Sequence, residues 1–299
     1  MNPSRKIRCI INPISGNFHK SKTYNYLQEW SDNKPYFLDI QYTEYEGHAT
    51  KLAAEALQQN YYAVLAAGGF GTIHEVCTAL KDTDTILAVF PQGSGNGFSW
   101  HLGIKKNLKI ALSYIENGHY QIIDMGVMNN DKYFINLAGL GFDGKVAYNI
   151  KGLANKGFLP YFANTTKELF KFRSQYYQIL MDGTDMSGDY SMVAIANGSI
   201  YGYGFNIAPG ASLTDREFDV LLVKRANFLS YIRMIPSMLA GKMIKSPYVQ
   251  YLKCKQISIN SSQPIYYHVD GEGFLENNTM EFKIIPSCLR IFVPEHVIL

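Results

Sequence analysis

Between Val64 and Val76 the chain reads VLAAGGFGTIHEV. An apolar strand there runs into Gly68, Gly69 and Gly71, and Thr72 opens a helical pattern. Glycine lets a main chain approach a ligand closely and take positive φ, and a helix start offers unpaired N–H groups at the positive end of its dipole. That chemistry holds phosphate; the alternative is an ordinary glycine-rich turn between strand and helix. Three further short turns carry polar groups: Asn12 to Asn17 (NPISGN), Thr43 to Gly47 (TEYEG) and Pro91 to Gly97 (PQGSGNG). A fourth, Asp270-Gly271-Glu272, sets two carboxylates on either side of a bend. Such a pair could accept a proton or hold a divalent cation through water, or it could be a plain hairpin turn, for which Asp-Gly is a common signal.

The elements that must position these turns alternate. Strand patterns at Ile7 to Ile11, Tyr36 to Tyr42, Tyr62 to Ala67 and Ile86 to Phe90 are separated by helical spacing such as His48 to Leu57. The expected architecture is a mostly parallel sheet with helices on both faces, whose ligands bind beyond the carboxyl ends of the strands, where the first four turns lie. Beyond about Gln121 short alternating segments take over, among them Lys132 to Leu137, Tyr176 to Met181, Ser191 to Ala196, Phe218 to Val223, Tyr248 to Ile259, Ile265 to Val269 and Met280 to Ile284. They predict a largely antiparallel β-sandwich, interrupted by helical stretches near Leu159 to Phe172 and Phe228 to Gly241. The fold class is α/β plus β. The expected domains are 1–125, completed by 287–299 if the strand Leu289 to Val293 returns to it, and 126–286.

The chain of 299 residues is long enough for two such domains, and 47% hydrophobic with 18% charged residues suits a folded protein. No apolar run is long enough to cross a bilayer, and the amino terminus lacks the apolar stretch of a signal peptide, so the expected location is the cytoplasm. Cys9, Cys77, Cys254 and Cys288 are scattered without a CxxC pair, so neither a zinc knuckle nor a disulfide framework is suggested and the expectation is small buried hydrophobes. A net charge of +3 from dispersed Lys and Arg gives no nucleic-acid surface.

In order along the chain, Asn12-Pro13-Ile14-Ser15-Gly16, TEYEGHA from Thr43, GGFGTIHEV from Gly68, PQGSGN from Pro91 with Leu102-Gly103-Ile104, Asp124-Met125-Gly126, FINLAGLGFDGKV from Phe134 and Asp270-Gly271-Glu272 resemble the diacylglycerol kinase catalytic-domain family, the bacterial lipid kinases similar to sphingosine kinases. NAD kinases share the glycine loop but not the NPxSG opening or the His74-Glu75-Val76 continuation. The resemblance implies an ATP-binding domain like that of phosphofructokinase and NAD kinase, a β-rich second domain, and transfer of the ATP γ-phosphoryl group to a lipid hydroxyl with magnesium (Mg2+). By motif it implies that Asn12, Ser15 and Gly16 approach the nucleotide, Thr43 the adenine or ribose side, and Gly68, Gly69, Gly71 and Thr72 the phosphates. Ser94 would also contact nucleotide, with Asn96 fixing its turn. Glu75 either orients the glycine loop or is a solvated helix-face glutamate. Asp270 and Glu272 are the implied acid/base pair, with Glu272 at the position usually assigned as active. Asp124, a further acidic position, and Asp215, the position of a structural metal, are the implied metal ligands.

Three positions depart from the family pattern, the mildest being Gly97, where bacterial diacylglycerol kinases often carry aspartate and sphingosine kinases a small residue. Phe70 stands where relatives have the aspartate of GGDGT, and losing a positioned acid/base group costs about 10²- to 10⁴-fold in rate. The chain is therefore either an active kinase whose acidic work has moved to Asp124, Asp270 and Glu272, or a pseudo-kinase that binds nucleotide or lipid without turnover. Arg216 follows Asp215 where glycine is usual, and a guanidinium there would compete with a metal for the carboxylate. The expected partners are ATP and a membrane lipid, reached by peripheral membrane contact, with a homodimer as the candidate assembly. Phe228 to Gly241, and Leu159 with Tyr161 and Phe162, either line a lipid entrance or cap the β domain's core.

Overall fold

A computed structural model describes residues 5–16, 20–32, 34–93, 95–150, 165, 172–226, 228–276, 279–297 and 299. The chain divides into two compact units, Met1–Ile123 with Ser287–Leu299, and Asp124–Pro286.

The first unit alternates strand and helix: β1 (Arg5–Ile11), α1 (Lys20–Asp32), β2 (Tyr36–Tyr42), α2 (His48–Gln58), β3 (Ala63–Gly68), α3 (Phe70–Leu80), β4 (Ile86–Pro91), α4 (Gly97–His101) and α5 (Leu108–Asn117). The strands pair in parallel in the order β4-β3-β1-β2, and Ile291 near the carboxyl terminus adds a parallel partner to Leu87 of β4. β3 and β4 are buried along their whole length, as expected of strands covered on both faces. α2 buries Ala49, Leu52, Ala53 and Ala56, a spacing that makes one apolar stripe. α5 starts where the Asn107 side chain accepts the Ile110 N–H and ends at Gly118 with φ 70°. Because all these strands run the same way, the turns after β1, β2, β3 and β4 share one rim.

The second unit begins within β5 (Tyr120–Met128) and continues through β6 (Lys132–Phe134), β7 (Leu137–Gly141), α6 (Phe142–Ile150), β8 (Gln175–Met181), β9 (Thr184–Asp185), β10 (Gly188–Ala196), β11 (Phe218–Lys224), α7 (Phe228–Leu239), β12 (Val249–Cys254), β13 (Gln256–Asn260), β14 (Ile265–Val269), β15 (Glu272–Glu276) and β16 (Met280–Phe292). The pairing is antiparallel along β15-β14-β7-β10-β8-β13-β16, with β11 also on β10 and β12 on β11. Two apolar cores fill it, one around Phe134, Tyr177, Phe218 and Phe282, the other around Ile207, Leu221, Met234 and Met243.

Two local differences from expectation stand out. The single segment Tyr248 to Ile259 is two strands, because both oxygens of the Asp182 carboxylate accept the Lys255 N–H and one also accepts the Gln256 N–H, interrupting the ladder. Residues from Phe142 onward form a helix that follows β7 without a break. The helical stretch near Leu159 to Phe172, with Tyr161 and Phe162, lies outside the described residues except for Thr165 and Phe172. Among the described residues no helix is long and apolar enough to cross a membrane.

Candidate functional site

On the rim of the first unit four turns knit together. The Asn12 side chain accepts the Ile14 N–H and donates to Thr72 Oγ1 at 3.2 Å, and Ser15 Oγ accepts the Gly69 N–H at 3.2 Å. The Gln92 N–H donates to the Gly68 carbonyl at 2.7 Å, and the Thr43 N–H to the Ile11 carbonyl at 2.9 Å. A Cβ on Gly68 would sit 2.7 Å from Thr72 Cβ, so a side chain there would push the helix away from its strand. None of Gly68, Gly69 and Gly71 takes positive φ; close approach, not left-handed backbone, is what the motif requires. α3 begins at Phe70, two residues earlier than Thr72, with Gly69 extended at its start. Its first-turn N–H groups have no intrahelical acceptor, and a Cβ on exposed Gly71 would meet nothing within 4 Å. The result is a cradle of backbone donors open at Gly71.

Each remaining expected residue of this unit has a definite place. Gly16 has φ 62°, and Lys106 Nζ, which donates to the Gln92 carbonyl at 3.1 Å, would lie 3.4 Å from a Cβ on it. This lysine was not singled out from the sequence, since in GIKKNLK only the fold distinguishes it from its neighbours. Glu75 is half-buried, and its Oε2 accepts the Ala49 N–H at 3.0 Å, supplying the cap that Gly47 cannot give α2. Ser94 lies outside the described residues. Asn96 is left-handed with φ 45°, and its buried Oδ1 has no hydrogen-bond partner among the described residues, so that atom does not fix the turn as expected.

In the second unit Asp270 and Gly271, with φ 51° and 86°, form a two-residue hairpin turn between Val269 and Glu272. The Asp270 carboxylate accepts three backbone N–H groups, from Ile135 at 2.9 Å and from Asn136 and Leu137 at 3.0 Å. An acceptor so used is a clamp on the 135–137 segment, which does not suit the expected acid/base work. Glu272 is exposed at the start of β15. An apolar pocket of about 130 Å³ lies within the same unit, walled by Phe142, Met192, Met234, Met238 and Met243. Two of its polar members, Asp143 and half-buried Tyr201, join buried His268: Tyr201 donates to Asp143 Oδ2 at 2.5 Å and contacts His268 Nε2 at 2.8 Å. Tyr231 on α7 also faces this pocket, as do Met234 and Met238, so that face of the helix covers core rather than solvent.

The two expected metal positions are each engaged by a donor of the chain itself. Asp124 is 1% exposed and its Oδ2 accepts the Arg216 N–H at 2.8 Å. Asp215 is paired to Lys253 Nζ at 2.6 Å, so the competing cation is this lysine and not the expected Arg216 guanidinium. Among the described residues no group of three or more His, Cys, Asp or Glu side chains is arranged to hold a metal.

Comparison with known proteins decides what these parts belong to. Residues 6–128 match the diacylglycerol kinase catalytic domain, and residues 137–293 match the YegS C-terminal NAD kinase beta sandwich-like domain. A diacylglycerol kinase of Bacillus subtilis is 31% identical over 274 residues, 90% of each chain, and one from Staphylococcus saprophyticus is 29% identical over 98% of this chain and 97% of its own. This chain belongs to the diacylglycerol kinase family. A putative diacylglycerol kinase from Bacillus anthracis shares the fold, with a TM-score of 0.81 at 21% identity over the full length of both chains. Membership makes the enzyme class that of a lipid kinase, a transferase.

The donor set fits one of the family's two expected ligands. Backbone N–H groups, an open glycine and the Lys106 ammonium suit a polyphosphate. Asp124 and Asp215, each held by a donor of the chain itself, do not make a magnesium site. Phe70 adds no oxygen; its ring lies edge-on to buried Phe98.

Proposed function

We propose that this protein transfers the γ-phosphoryl group of ATP to a lipid hydroxyl, on diacylglycerol or a sphingoid base. The observation that carries the reading is the cradle itself: Ser15 steadies the Gly69 amide, Asn12 steadies Thr72, and the first turn of α3 offers its N–H groups beside an open Gly71. Phosphoryl transfer asks a protein mainly to position reactants and neutralise charge, which backbone donors and Lys106 do. Thr43, at the end of β2, is assigned to the nucleoside side. Exposed Glu272 takes the proton of the lipid hydroxyl; that oxygen forms a bond to the γ-phosphorus while the bond from phosphorus to the bridging oxygen breaks, and ADP leaves. Asp270 positions rather than reacts, and the Met-lined pocket receives an acyl chain, whose flexible methylenes suit thioether side chains. Magnesium accompanies ATP as its counter-ion in this scheme, and no side chain is assigned to it. The lipid is met at the cytoplasmic membrane surface through peripheral contact.

Phe70 favours a second reading, in which nucleotide and lipid bind without turnover. Radiolabelled ATP incubated with a panel of micellar lipids separates the two. Label entering diacylglycerol or a sphingoid base, with ADP released only when lipid is present, supports the kinase. Retained nucleotide binding with no labelled lipid supports the pseudo-kinase.

A further inference from the structure

A lysine occupies the acidic site of the second unit. Asp219 on β11 and Lys253 on β12 are direct cross-strand partners. Lys253 Nζ lies 3.0 Å from Asp219 Oδ2 and 2.6 Å from Asp215 Oδ2, bridging the two carboxylates. Tyr251, two residues before Lys253 and so on the same strand face, donates its hydroxyl to Asp219 Oδ1 and accepts the Gly210 N–H at 3.2 Å. The other Asp215 oxygen accepts the Glu217 N–H at 3.2 Å. Asp219 is 0% exposed, and burial pushes its carboxyl above the ordinary aspartate value against the opposing Tyr251 and Lys253 bonds. A carboxylate placed there needs a cation beside it.

We propose that the Lys253 ammonium is the resident cation of the Asp215–Asp219 pair, and that this unit holds its 210–219 segment without the divalent metal that family resemblance assigns to Asp215. An oxygen-bound magnesium sits about 2.1 Å from each ligand, so it would have to displace the ammonium from the oxygens Lys253 now holds. The ammonium does the same work with hydrogen bonds: it neutralises charge and ties the loop bearing Asp215 to β12. The inference stands whether or not the protein transfers phosphate.

Thermal unfolding of the purified full chain without nucleotide tests it, in EDTA and in millimolar MgCl2 or MnCl2. The wild type is expected to melt at the same temperature in all three. Lys253→Met should melt lower in EDTA and regain about 3 °C or more with metal, because a dication that binds only the folded state stabilises it by mass action. Adding Asp215→Asn to Lys253→Met should abolish that gain. A wild type that melts higher with magnesium and lower in EDTA overturns the proposal. So does a Lys253→Met protein as stable as wild type and indifferent to metal. If Lys253→Met does not fold, Lys253→Gln, which keeps a donor, carries the same comparison.

Discussion

Phe70 meets Phe98 edge-on, with ring centroids 6.5 Å apart and planes 75° apart, at the first position of α3. An aromatic pair of this kind contributes about 0.5–1.5 kcal/mol beyond its buried area. Aspartate at the same position would lose that contact but place a negative charge at the positive end of a helix, worth roughly 0.3–1 kcal/mol. Phe70→Asp should therefore fold with a melting temperature within a few degrees of wild type. If the missing carboxylate limits turnover, the variant should transfer phosphate about 10²-fold faster or more. Initial rates of ADP release with micellar diacylglycerol check it, and an unchanged rate places the limiting chemistry elsewhere.

Ser15 and Lys106 bear on nucleotide binding through the cradle they steady. Removing the Ser15 hydroxyl leaves the Gly69 N–H without its acceptor, and Lys106→Met removes the cation beside Gly16. That intramolecular bond is worth about 0.5–1.5 kcal/mol, so Ser15→Ala should lower the melting temperature by a few degrees and, by loosening the cradle, weaken ATP binding roughly two- to tenfold. Lys106→Met should weaken it with a loss that shrinks as salt is raised. Titration calorimetry with a non-hydrolysable ATP analogue at two salt concentrations reads both.

Asp270 and Glu272 should separate cleanly. Asp270→Ala strips the acceptor from three backbone N–H groups, and hydrogen bonds to a charged group are worth about 1.5–3 kcal/mol each, so the variant should be severely destabilised in urea. Glu272→Gln changes an exposed side chain and should leave the urea midpoint within error. If Glu272 is the base, kcat falls about 10²-fold or more while the KM for ATP holds. An Asp270→Ala protein as stable as wild type would dispose of the clamp.

The contrast between those two carboxylates shows what a sequence carries and what it withholds. β2 covers the expected Tyr36 to Tyr42, and the other early strands end within a residue or two of expectation, because period and glycine punctuation are local properties. The convergence of Asn12, Ser15, Gly69 and Thr72 was legible for the same reason: parallel strands fix where their turns go. Partner choice is not local. Lys253 finds Asp215 and Asp219 only through the β11–β12 register, and Asp270 finds the 135–137 amides across more than a hundred residues. Glu75 looks like a helix-face glutamate until α2 is placed against it with an uncapped start.

Arg216 sits at φ 64°, where a side chain other than glycine is strained, and its N–H is held by buried Asp124. Left-handed backbone costs a non-glycine residue roughly 1–2 kcal/mol, of which glycine's greater freedom in the unfolded chain returns part. Arg216→Gly should therefore stabilise the protein by roughly 0.5–1 kcal/mol in urea unfolding. A loss of stability would show that the arginine side chain contributes more than its backbone strain removes.

His101, the last residue of α4, gives the stability a pH dependence of known sign. Burial holds its imidazole down to about 4, against 6.5 for an ordinary histidine. Below 6.5 the unfolded chain takes up a proton that the folded chain refuses, so the unfolded state gains as pH falls. The contribution is complete above 6.5, declines as the pH drops, and levels off once the folded imidazole also protonates near 4. One proton limits this group's slope to about 1.4 kcal/mol per pH unit. Urea midpoints across that window should fall more steeply for wild type than for His101→Leu, which cannot take up the proton. Parallel profiles would mean that the imidazole is reached by solvent and titrates normally in the folded chain.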